Sequence, residues 1–253
     1  MSRGIWFGIS IAIFFAAWEA VCRMFAVPPF ILPPPSTVVV ALWDLRESLL
    51  GVHLWATLKE VLLGLSVSIV FGVLLAFAMS MSKLIERLVY PYIVISQTIP
   101  IIALSPVFIL WFGYDLSGKI AVTILFTFFP IVVNTYDGLR STDQEMLQLI
   151  KKMGANRWQI LTKLQLPSCL PHFFSGLKVA ATYSVAGATI GEWLGASVGL
   201  GYFGRRASGN FQAPALFASV LLLSVLGMLL FWLVGRIERQ LSPHTKNKHQ
   251  SSK

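Results

Sequence analysis

The chain has 253 residues, of which 56% are hydrophobic and only 12% charged, and it carries a formal net charge of +9. A water-soluble domain holds about twice that share of charged residues. The composition therefore excludes an ordinary soluble fold, and the apolar residues fall in runs long enough for an all-α, polytopic membrane protein. Two cysteines, Cys22 and Cys169, show no ligand spacing, so neither a disulfide frame nor a metal site is indicated.

A span needs about 20 apolar residues. Six stretches qualify, at about 5–25, 61–81, 89–111, 119–137, 173–195 and 214–235. The first follows a short basic head, MSRGIWFGIS, but Trp18, Glu19 and Arg23 interrupt it and no small-residue cleavage site follows, so it reads as an uncleaved span. Between the first two spans, PPFILPPPSTVVVALWDL holds an extended proline run. Thr37 is then expected to cap a short helix from Val38 to about Leu49, lying along the outer interface. The third span contains Pro100 and Pro106, which free backbone carbonyls where helices bend around a cavity. The fifth holds two charges, Lys178 and Glu192. Lys178 can snorkel to one interface, and Glu192 lies near the outer end, where a carboxylate reaches headgroups or a helix neighbour. Gly187, Gly191 and Gly195 form a small-residue ridge on this span, open to a twofold partner or to another helix of the same chain.

With the N-terminus inside, fourteen basic residues fall on the cytoplasmic side and six outside. This asymmetry sets both termini in the cytoplasm. The positive charge thus reports topology and contact with anionic lipid, and no nucleic-acid partner is expected. The tail over 240–253 is polar and reads as disordered.

One large polar segment, 138–172, separates the fourth and fifth spans. Thr142 and Glu145 are spaced as a capping box, and Met146, Leu149, Ile150 and Met153 form one apolar stripe behind it. Gly154 supplies a left-handed stop. Asn156 and Gln159 then restart a short helix carrying Trp158, Leu161 and Leu164, expected to end before Leu166-Pro167. Two short helices meeting at Gly154-Ala155 make a knuckle shaped for a partner's groove. Inside the membrane, Gln97, Asn134, Tyr183, Ser184, Thr189 and Glu192 are candidates to line a passage for a polar solute. Each is equally suited to hydrogen bonding between helices. No Walker lysine loop, no HExxH and no clustered acids occur, so nucleotide hydrolysis belongs to another chain and no cofactor is expected.

The knuckle resembles the EAA loop of binding-protein-dependent ABC importer permeases, through Gly154-Ala155, Leu166-Pro167, Pro171 and Gly176. The chain departs from the name-giving triplet, reading Glu145-Met146-Leu147. The stretches ILPPPSTV, IPIIALSPVFILWFG, FFPIVVNTYDGLR and GEWLGASVGLGYF are similar to the branch importing sulfonates, taurine, nitrate and thiamine pyrimidine precursors. Residues 192–196, Glu-Trp-Leu-Gly-Ala, look most like permeases for hydroxymethylpyrimidine or formylaminopyrimidine precursors. The resemblance implies a type I importer of the bacterial inner membrane: two permease copies, cytoplasmic ATP-binding subunits and an extracytoplasmic solute-binding protein. It assigns ATPase coupling to Glu145, Gly154, Ala155, Leu166 and Pro167. An ion-coupled secondary carrier is the rival of another class, but it needs ionisable groups near the midplane, and here nearly all charges fall at span ends.

Overall fold

The computed structural model describes residues 3–241, which among themselves form helices and no strand. Helix α1 covers Arg3–Met24 and α2 covers Pro35–Asp44. Helix α2 starts earlier than Thr37 predicts, because Pro35 takes the first helical position, where its missing N–H costs nothing. Thr37 lies inside that first turn, with Oγ1 donating to the Pro34 carbonyl at 2.8 Å. A short α3 (Arg46–Ser48) and a π-helical turn (Leu49–His53) lead into α4 (Leu54–Met81). The second span thus begins before residue 61 and takes Lys59 and Glu60 inside the helix.

The expected third span is not one helix. It is α5 (Lys83–Ser96) and α6 (Ile101–Phe112), bent by 108° across a short break. Pro100 cannot donate to the Ser96 carbonyl and disfavours helical geometry at Ile99, so no helix continues through the break, and Pro100 stands as the N-cap of α6. Helix α7 covers Leu116–Arg140, α8 Gln144–Lys152 and α9 Arg157–Ile160. A second π-helical turn (Leu161–Gln165) runs into α10 (Leu166–Gly195), followed by α11 (Leu200–Gly209) and α12 (Ala213–Leu241). The polar tail expected to be disordered lies, from residue 242 on, outside the described residues.

Among the described residues, four helical stretches are long and apolar enough to cross a membrane, and the bent α5–α6 pair makes a fifth. Helix α10 does not meet that standard. Its apolar run is diluted by Lys178, Glu192 and many glycine, alanine, serine and threonine residues.

The chain divides into two compact units, with boundaries inside α4 and α12. One gathers the chain up to Leu58 with Ala196–Val225. Its core joins Val38, Leu49, Leu200 and Ala218. Glu19 on α1 accepts from the Ser36 N–H (3.0 Å) and hydroxyl (2.7 Å) and from Arg23 Nε (2.7 Å), pinning α1 to the start of α2. The first amides of α11 are met by side chains. His53 Nδ1 accepts from the Gly199 N–H (3.1 Å) and Thr57 Oγ1 from the Leu200 N–H (2.8 Å).

The second unit gathers Lys59–Gly195 with the chain from Leu226 on. Helix α10 lies along α7, and the glycine ridge is what lets it approach. A Cβ at Gly187 would stand 2.9 Å from the Thr123 Cα, one at Gly191 would stand 3.2 Å from the Lys119 Cα, and one at Gly195 would overlap the Tyr114 ring. Of the two occupants the sequence leaves open, the ridge is therefore filled from the same chain, by helix α7 and the loop before it, and not by a twofold partner. Gly176 is also closely packed, with a Cβ there falling 2.6 Å from both the Pro130 carbonyl oxygen and the Asn134 Cβ. Gly176→Ala is expected to cost about 1–3 kcal/mol through overpacking, read as a lower melting temperature of the detergent-solubilised chain. An unchanged melt would show that the two helices part freely there.

Candidate functional site

The knuckle between α7 and α10 is built by local hydrogen bonds, most of them within a few residues in sequence. Helix α8 is capped by Asp143, whose carboxylate accepts from the Glu145 N–H at 2.8 Å. This corrects the expected Thr142 cap. Thr142 is buried, and its hydroxyl donates to the Leu139 carbonyl at 3.2 Å. Glu145 in the first turn and Lys151 and Lys152 in the last complement the helix dipole.

At the other end the chain turns as expected. Gly154 has φ +85°, its N–H donates to the Lys151 carbonyl (3.0 Å), and the Ala155 N–H reaches back to Ile150 (3.2 Å). These two bonds make a Schellman stop, satisfying carbonyls that the ended helix leaves free. The next helix begins with the predicted reciprocal cap. The Asn156 N–H donates to Gln159 Oε1 (2.9 Å) and the Gln159 N–H to Asn156 Oδ1 (2.8 Å).

This second helix does not end before Leu166-Pro167. The π-helical turn shifts the hydrogen-bond register, with the Leu166 N–H donating to the Leu161 carbonyl. That shift carries the chain past Pro167 and into α10 unbroken, as a single wide turn can. The Ser168 hydroxyl donates to the Leu164 carbonyl at 2.8 Å. Leu166 and Pro167 thus form the rigid neck that joins the knuckle to a thirty-residue helix.

The knuckle has two faces. Ile160 and Leu161 are buried, and Leu161 packs with Leu139, Cys169, Phe77 and Phe173. The other face carries Met146, Leu149, Met153 (77% exposed) and Trp158 (66% exposed). Four large apolar side chains left exposed on one short segment are of the kind that marks a protein contact. At the root of the knuckle, Arg140 donates to Glu86 Oε1 (2.9 Å) and Tyr136 Oη (3.1 Å), tying α7 to α5.

The six passage candidates do not come together on one surface. Gln97 and Tyr183 are exposed, and Thr189 is half-buried with its hydroxyl donating to Val185. Asn134 is half-buried, its amide donating to the Pro130 carbonyl at 2.8 Å beside Gly176. Ser184 and Glu192 are sealed in the core.

Glu192 reaches no headgroup in this structure. It lies within hydrogen-bonding reach of Glu60, whose Oε1 takes the Lys119 ammonium at 2.6 Å. Glu60 and Glu192 are each 1% exposed and Lys119 is 7% exposed. Lys119, one of the six basic residues that the charge asymmetry places outside, is interior. No spacing rule in the sequence connects residues this far apart, and only the apolar context of Glu60 hinted that it needed a partner. Lys178 is likewise paired, with Glu238 on α12.

Several comparisons bear on what this arrangement serves. The model of the family described as binding-protein-dependent transport system inner membrane component matches residues 68–243. The chain is 48% identical to the formylaminopyrimidine transport permease protein ThiX of Halalkalibacterium halodurans, over 91% of this chain and 92% of that one. It is 33% identical to the riboflavin transport system permease protein RibX of Chloroflexus aurantiacus (92% and 87% covered), and 26% identical to the taurine transport system permease protein TauC of Escherichia coli (96% and 91%). Among solved structures, an inward-facing form of the MetNI methionine ABC transporter matches with a TM-score of 0.67 and 22% identity, covering 76% of this chain and 96% of that one. This last likeness concerns the fold. An ion-coupled secondary carrier is set aside by these matches. The chain belongs to the family of binding-protein-dependent transport system inner membrane components: it is an integral inner-membrane permease subunit of an ABC importer, not itself an enzyme, and it works with an ATPase and a solute-binding protein.

Proposed function

We propose that this permease imports a thiamine pyrimidine precursor of the formylaminopyrimidine class. The observation that carries the substrate class is the 48% identity, over nearly the whole chain, to a formylaminopyrimidine permease. In this reading α10 is a sixth crossing, the α5–α6 pair makes one bent crossing, and both termini are cytoplasmic. The exposed Thr182 and Tyr183 of α10 line the passage together with Gln97. A second copy of the chain closes that passage from the other side. Ser184 and Glu192 hold the helices from behind, while Asn134 and Thr189 border the path.

The knuckle is the coupling element. Its exposed Met146, Leu149, Met153 and Trp158 seat in a cleft of the ATPase, with Glu145 at the helix start and Gly154-Ala155 at the turn. Leu166 and Pro167 transmit its movement to α10 without a flexible joint. ATP binding draws the two ATPases together, the knuckles follow, and the helices tilt to alternate access.

The test is uptake of radiolabelled formylaminopyrimidine by proteoliposomes holding the complete importer and its binding protein. Saturable, ATP-dependent uptake that excess unlabelled hydroxymethylpyrimidine suppresses and taurine does not is the expected result. ATP-dependent uptake of taurine, an alkanesulfonate or nitrate, with none of the pyrimidine, would replace this substrate class by one of those anions.

A further inference from the structure

The second unit contains a cavity of about 590 Å³ that the transport reading does not use. It opens where α4 ends and α5 begins, against the inner side of the knuckle. Its lining is divided chemically. Lys83, Lys151, Ser80, Ser82 and Gln165 supply donors, and Met81, Leu147, Ile160 and Leu161 supply an apolar wall. None of these nine residues is acidic. Among the described residues neither ammonium has a carboxylate partner within ion-pair distance.

The backbone adds to this field. Ser82 caps α5, its hydroxyl oxygen accepting from the Ile85 N–H, so the positive end of a fourteen-residue helix stands at the cavity's edge. Two unpaired ammonium groups, three neutral donors and a helix N-terminus in one concave site call for an anion with several acceptor oxygens. Phosphate chemistry fits that demand. A free phosphate would leave the apolar wall wetted, whereas a phosphodiester bearing glycerol and acyl chains covers both halves. The apolar run of α4 ends at Met81, which sets this cavity at the level of a membrane's headgroups.

We propose that this cavity binds the phosphodiester headgroup of an anionic glycerophospholipid, with Lys83 and Lys151 as its two cationic contacts. The cytoplasmic placement of the site rests on the orientation given under the proposed function. One wall belongs to the α4–α5 turn and the other to α8 and the π-helical turn, so a bound lipid bridges the fixed helices and the coupling knuckle.

The test uses the full-length permease purified in mild detergent, with phosphatidylglycerol and phosphatidylcholine offered in equal amounts and retained lipid counted by native mass spectrometry. Wild-type protein is expected to retain phosphatidylglycerol selectively. The variant Lys83→Gln/Lys151→Gln is expected to lose about thirtyfold in apparent affinity, each headgroup-level lysine contributing roughly fivefold. Lys152→Gln, a neighbour outside the cavity, is expected to bind as wild type. Both lysines are exposed, so melting temperature is expected to stay unchanged and to separate loss of binding from loss of fold. Equal retention by the double variant overturns the site. Displacement of the lipid by millimolar inorganic phosphate overturns the lipid assignment and makes the cavity a free-phosphate site. Because no solute or ATPase is present, failure of the pyrimidine assignment leaves this readout unaffected.

Discussion

Lys119→Met is expected to destabilise the permease by about 3–5 kcal/mol, the usual cost of leaving one member of a buried ion pair without its partner. The ammonium sits 2.6 Å from Glu60 Oε1, and both residues are under 10% exposed. Besides Lys119, the Glu60 carboxyl has Glu192 within hydrogen-bonding reach, and an acidic group cannot replace the lost cation. Removing the lysine also leaves the Glu60 and Glu192 carboxyls within reach of each other without the positive charge beside Glu60. The double variant Glu60→Gln/Lys119→Met removes the orphaned charge and is expected to recover most of the loss. Thermal melts of the three proteins in one detergent check this. A single variant as stable as wild type would mean that the pair does not hold α4 to α7.

Gly154→Val is expected to abolish ATP-driven uptake while the chain still inserts and folds. A Cβ at this position meets nothing within 4 Å, so no steric clash with neighbours is involved. The effect is carried by the backbone alone. At φ +85° an L-residue pays about 1–2 kcal/mol, and a β-branched one more. That strain acts on the Schellman turn that sets the angle between the two short helices, and hence on the exposed Met153 and Trp158. Gly154→Asn is the control, since asparagine tolerates the left-handed region. It is expected to keep most of the uptake and most of the stimulation of the ATPase. If the valine variant transports as wild type, the knuckle does not couple the two subunits.

The local devices of the knuckle were largely legible, since a cap or a stop is decided within three or four residues. Asn156 and Gln159 are spaced to bond each other's amides, and they do. Gly154 is placed for a left-handed turn and makes one. The error at Thr142 is of the same scale. Two adjacent residues can each cap, and the choice of Asp143 depends on how α7 ends, with Thr142 drawn into the core. The continuation through Pro167 was not legible, because a π-helical turn has no residue signature and the pattern X-Pro ordinarily ends a helix.

Span counting shows the same boundary between local and long-range information. Hydrophobic runs announce α1, α4, α7 and α12 through their own composition. Helix α10 gives a weaker signal, since Lys178, Glu192 and its small residues dilute the apolar run, and its glycines are packed against α7 and the loop before it.

From residue order alone follow the membrane class, the apolar stretches, the polar knuckle with its turn, and the likeness to importer permeases. These depend on composition and on bonds between near neighbours in the chain. Tertiary structure alone decided that Glu60, Lys119 and Glu192 meet, that the glycine ridge is filled from within the chain, and that Lys83 and Lys151 share one cavity. Those pairings join residues from about 60 to more than 130 positions apart, and they exist only because helices pack at set distances and rotations, which no short spacing in the chain encodes.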